Sequence, residues 1–108
     1  MTTELDPKRR EALQKMQDLR ARFSGRLRER VLQLRESLEA TAAEESGALA
    51  RAESLAHRLS GTAGSYGFPE VSRLAGELEL VLRGASFNAT QARALMRELE
   101  THVELKSA

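Results

Sequence analysis

At 108 residues the chain is expected to build one hydrophobic core, so residues 1–108 read as a single domain. Its 17 Lys and Arg nearly balance 16 Asp and Glu, which excludes the large one-sign field that holding nucleic acid or an anionic membrane would need. The absence of Cys excludes disulfide and thiolate chemistry, and 41% hydrophobic residues with only 4% aromatics favour amphipathic helices over strands.

No apolar run approaches the roughly 20 residues of a membrane-crossing helix, and Met1-Thr2-Thr3-Glu4 lacks the basic start of a signal peptide, so a cytoplasmic protein is expected. Asp6-Pro7 opens the first helix: Asp caps free N–H groups, and Pro at the first position lacks only a donor that would go unpaired. Lys8, Arg9 and Arg10 form a basic cluster that reads as a solvated face. Leu13, Met16, Leu19, Phe23, Leu27, Val31, Leu34 and Leu38 then recur at three- and four-residue steps, the mark of an apolar helical stripe. Ser24-Gly25 are poor helix formers, and a break is expected at residues 24–28.

A third stripe runs through Leu49, Ala52, Ala56, Leu59 and Ala63 and ends near Tyr66-Gly67, where Gly can take the left-handed terminating conformation. Pro69 reopens a helix with the stripe Val71, Leu74, Ala75, Leu78 and Leu82, stopped by Gly84. Asn88 and Gln91 resemble a capping box ahead of Ala92, Leu95, Met96, Leu99 and Val103. The expected helices thus span about 7–23, 27–42, 45–65, 69–83 and 88–105. Short connections favour antiparallel neighbours, giving an all-α, up-and-down four-helix bundle with an additional N-terminal helix packed across one end. Met16 and Met96 read as core filler, and Phe87 as a plug at a bundle end.

The third helix breaks the usual pattern. At about 100° per residue, His57 falls roughly 140° from the centre of the apolar stripe, on the outer face. Ala50, Ser54, Gly61 and Gly64 surround it, all small, where a bundle helix normally carries Lys, Glu, Arg and Gln. Two interior glycines forfeit about 2 kcal/mol relative to Ala. One reading is an ordinary surface histidine beside a kink or a tight helix–helix contact. The other is close approach: a partner backbone reaches the imidazole only where long side chains do not fence it off. An exposed imidazole is a competent nucleophile near neutral pH, because one ring nitrogen keeps a free lone pair.

The run Ala56-His57-Arg58-Leu59-Ser60-Gly61-Thr62-Ala63-Gly64-Ser65-Tyr66-Gly67-Phe68 resembles the signature of the histidine-containing phosphotransfer (HPt) family, His-x-Leu-Lys-Gly-Ser/Thr-Ala followed by an apolar residue and Gly. Leu74, Leu78 and Glu79 resemble the family's Leu-x-x-x-Leu-Glu ending of the next helix. The likeness covers the chain from about residue 10 to residue 104. It implies a four-helix bundle whose His57 takes a phosphoryl group from a receiver-domain aspartate and passes it to another receiver, without kinase activity of its own. On this likeness Gly61 permits close docking and Thr62 is the small hydroxyl residue after it. Leu59 and Ala63 are core positions, and Tyr66 and Gly67 finish the motif. The departure is Ser60, where the family carries a lysine that balances charge on the phosphoryl group; Arg58 and the Ser60 hydroxyl are the available substitutes.

The expected partners are receiver domains of a response regulator or hybrid kinase, meeting the face of Ala50, Ser54, His57, Arg58, Gly61 and Gly64. No metal is expected on this chain; Mg2+ is expected on the receiver. The likeness implies a monomer, although the N-terminal stripe could pair if its helix does not pack on its own bundle. Two other readings stay open: a bundle that docks a kinase or regulator through the same face and is never phosphorylated, and the phosphoacceptor domain of a larger chemotaxis-type kinase. His102, near the edge of the last stripe, reads as a half-buried structural histidine, and Glu44-Glu45 as charges at a helix N-terminus.

Overall fold

The computed structural model describes residues 6–84 and 88–107, with side chains described as far as residue 103. Among these residues there are four helices and no strand: α1 (Pro7–Ala42), α2 (Ala48–Ser65), α3 (Pro69–Arg83) and α4 (Ala89–Ser107). The helices form a ring in which α1 packs on α2 and α4, α2 on α3, and α3 on α4. Their stripes meet in one core. Phe23, Leu27 and Leu34 of α1, Leu74, Leu78 and Leu82 of α3, and Leu99 of α4 are fully buried there, while α2 contributes chiefly the small residues Ala52, Ala56 and Ala63.

The expected break at residues 24–28 is absent, and with it the separate N-terminal helix across the bundle end. Ser24 and Gly25 lie inside one continuous 36-residue helix. Phe23 and Leu27, both buried, anchor that helix to the core on either side of Gly25, and this packing outweighs the roughly 1 kcal/mol that an interior glycine costs. At 1.5 Å per residue α1 runs about 54 Å, consistent with a molecule 60 Å long and only 23 × 22 Å across.

The first buried side chain of α1 is Phe23 and Arg20 still reaches Phe68, so the exposed residues 7–19 form an extension past the bundle. Leu13, Met16 and Leu19 are exposed, correcting the expectation that they pack; Met16, at 62% exposure, is not core filler, whereas Met96 is buried. Leu49, placed in the third stripe, is exposed too. The extension holds its helical form through local means: the Asp6 carboxylate accepts from Arg9 N–H at 2.8 Å, Pro7 starts the helix, and Gln14 bonds Asp18 one turn on.

The bundle end beside this extension is closed by aromatic rings. Phe23 stacks on Tyr66 at 4.8 Å and lies 5.6 Å from Phe68, and the Arg20 guanidinium sits over Phe68. Those rings are set by the end of α2. Gly67, at φ 84°, takes the left-handed conformation, and the bonds Phe68 N–H to Ala63 C=O and Gly67 N–H to Gly64 C=O form the 6→1 and 5→2 pair that terminates a helix. Pro69 then begins α3.

At the other end α2 starts at Ala48, later than expected, because the chain turns through Glu44 at φ 60° and Gly47 at φ 77°. Glu44 and Glu45 therefore lie in the connection. The Asn88 side chain accepts from Gln91 N–H at 3.0 Å and caps α4, as its motif suggested. Phe87 falls outside the described residues. His102 is half-buried, as expected.

Candidate functional site

The site grows from the two faces of α2. Ala48, Ala52, Ala56, Leu59 and Ala63 turn one face to the core, while Ala50, Ser54, His57, Gly61 and Gly64 are exposed. The His57 side chain is 74% exposed. A Cβ built on Gly61 would meet nothing within 4 Å, so no contact within the fold requires glycine there.

The imidazole is not free to spin. Its Nδ1 lies 3.0 and 3.2 Å from the two carboxylate oxygens of Glu79 on α3. A carboxylate only accepts, so Nδ1–H donates and the neutral ring keeps its lone pair on Nε2. Glu79 reaches His57 because α2 and α3 pack side by side and Glu79 follows the fully buried Leu78, which places it at the edge of the core stripe with its side chain only 15% exposed. The Glu79 carboxylate also accepts from Arg83, one turn further along α3, at 3.3 Å. The Arg83 Nε lies 3.1 Å from Glu53, one turn before His57 on α2.

Two of the candidate residues, Ser60 and Gly64, also lie at the α2–α3 contact. The Ser60 hydroxyl donates to Ser72 C=O at 3.0 Å, and the Ser72 hydroxyl donates back to Ser60 C=O at 2.7 Å. Ser60, the phosphoryl-supporting candidate of the sequence, is half-buried here, with its hydroxyl engaged in this reciprocal pair. Gly64 is exposed beside them, and a Cβ there would stand 3.1 Å from Ser72 Oγ, so the close approach of α3 is one structural reason for its glycine. Of the two glycines read from the sequence as one feature, both exposed, a Cβ on Gly61 would meet open space and one on Gly64 would meet α3.

Arg58 lies on the other flank of His57, exposed, where it lines the groove between α1 and α2 with Arg26, Glu29, Arg30 and Gln33. Thr62, after Gly61, turns its hydroxyl back to Arg58 C=O at 2.8 Å. Among the described residues, no three His, Cys, Asp or Glu side chains gather as a metal site, and no helix is long and apolar enough to cross a membrane.

Glu79, Arg83 and Glu53 were not assigned a role from the sequence. Glu79 was visible as part of a resemblance, but nothing in a one-dimensional pattern says which residue of α3 stands opposite His57.

The Hpt domain family model matches residues 18–107, and the chain belongs to that family. Hpt domains carry a phosphoryl group on histidine in phosphorelays; they act as phosphocarriers rather than kinases and interact with receiver domains of response regulators and kinases. Residues 7–17, most of the α1 extension, precede the matched region. No curated protein and no solved structure matches the chain.

Proposed function

We propose that His57 is the phosphoacceptor of a relay between two receiver domains, and that Nε2 is the atom that is phosphorylated. One observation carries this reading: an exposed imidazole whose Nδ1 is held by Glu79, leaving Nε2 as the nucleophile, beside a glycine that needs its bareness for nothing inside the fold.

In the forward step the Nε2 lone pair attacks phosphorus, the bond from phosphorus to the receiver's aspartyl oxygen breaks, and the carboxylate leaves with that electron pair. The proton on Nδ1 stays, so the ring gains a positive charge that the Glu79 carboxylate faces. The reverse sequence hands the group to a second receiver. Mg2+ on the receiver offsets the phosphoryl oxygens, since this chemistry needs mainly in-line positioning and charge compensation. Ala50, Ser54 and Gly61 form the low surface on which the receiver docks, and Arg58 supplies a cation at its α1 edge.

The test is transfer of label from a phosphorylated receiver domain to the wild-type protein and to His57→Gln. Label that enters wild type alone, with the acid lability and base stability of phosphohistidine, supports the proposal. Receivers that bind both proteins and label neither would make this a docking bundle that is never phosphorylated.

A further inference from the structure

On the surface of the α2–α3 pair, four side chains close a ladder. Glu53 and His57 stand one turn apart on α2, and Glu79 and Arg83 stand one turn apart on α3. The rungs are His57 Nδ1 to Glu79 at 3.0 Å and Arg83 Nε to Glu53 at 3.1 Å. Along α3 the rail is closed by Arg83 Nη1 to Glu79 Oε2 at 3.3 Å, the same oxygen that lies closest to the imidazole.

We propose that Arg83 is a positioning residue for phosphoryl transfer, clamping the Glu79 carboxylate from α3 while anchored to Glu53 on α2, and so fixing which nitrogen of His57 is free. The inference rests on His57 being the phosphoacceptor. Ser60 has no charge and its hydroxyl is spent on Ser72, whereas Arg83 brings a guanidinium to the carboxylate that holds the imidazole.

The physical case is geometric. A carboxylate bound only by an exposed imidazole can rotate about its terminal torsion and release Nδ1. A guanidinium is a rigid planar fork with several donors, and Arg83 uses two of its nitrogens on carboxylates from different helices. The ring nitrogen that carries hydrogen is set by the partner of Nδ1, so restraining Glu79 restrains the tautomer. Arg83 also ends α3, where a cation is favoured by the helix dipole, which keeps it at that spot apart from either carboxylate.

The experiment compares Arg83→Met and Arg83→Lys with wild type by two readouts. Imidazole 15N chemical shifts report the share of neutral His57 with hydrogen on Nδ1, and label transfer from a phosphorylated receiver reports the rate. Arg83→Met is expected to lower the Nδ1–H share and to slow transfer about fivefold, with the melting temperature lowered by no more than the few degrees that losing exposed ion pairs costs. Arg83→Lys is expected to recover the tautomer in part. An unchanged tautomer in Arg83→Met overturns the proposal, whether or not the rate falls. The shift measurement needs no phosphoryl donor, so it reads the clamp even if wild type accepts no label, the result that would count against His57 as acceptor.

Discussion

The α2–α3 seam and the first thirteen residues of α1 are both amphipathic helix, yet only one of them is buried against a neighbour. In the seam, small residues let two helices close until the Ser60 and Ser72 hydroxyls each donate to the other's carbonyl, and Leu74 and Leu78 are buried completely behind them. Along residues 7–19 the same spacing of apolar residues continues the α1 stripe, but Leu13, Met16 and Leu19 remain exposed. A periodic stripe therefore marks a face that a neighbour could cover, without supplying the neighbour. The seam is where stability and the candidate site coincide; the extension lies largely ahead of the region shared with the Hpt family.

That contrast is open to attack by substitution. Leu78→Ala, which empties a fully buried position behind the seam, should cost about 2–5 kcal/mol in urea unfolding. A loss under about 1 kcal/mol would mean the seam is looser than its contacts indicate. The two glycines of α2 should part company at a smaller scale. Gly61→Ala meets nothing and should stabilise the fold by about 1 kcal/mol, while slowing transfer from the receiver if the bare surface is a docking surface. Gly64→Ala should show no such gain, because its Cβ presses on a hydroxyl already bound to Ser60 C=O, and about 1 kcal/mol of hydrogen bonding offsets the helix preference. Equal effects at both positions would erase the distinction between them.

At the smallest scale, Met16→Gln in the extension should change stability by less than about 0.5 kcal/mol, since it swaps one good helix former for another on an exposed surface. A larger loss would show that the extension is covered in solution. Thermal melting of the purified protein at several concentrations would separate covering by a second copy from covering by its own chain.

Much of the bundle could be read in one dimension. Asp6-Pro7, Tyr66-Gly67, Pro69 and Asn88 each mark a helix end because capping and left-handed turns depend on the residue at that spot and its near neighbours. The exposure of His57 follows from the helical period alone. The break at Ser24-Gly25 was misread for the opposite reason: local propensity set a cost of about 1 kcal/mol, and burial of Phe23 and Leu27 on either side outweighed it.

What the sequence by itself determined was the set of amphipathic helices, most of their ends, and a histidine on an unusually bare face, all of which depend on residues within a turn or two of one another. Tertiary structure alone decided that Glu79 meets His57 across 22 positions of chain, that Ser60 and Gly64 stand against Ser72 while Gly61 faces open space, and that the stripe of Leu13, Met16 and Leu19 goes uncovered. Each of these depends on how far one helix slides along another. That register is fixed by the fit of whole faces, which no local pattern encodes.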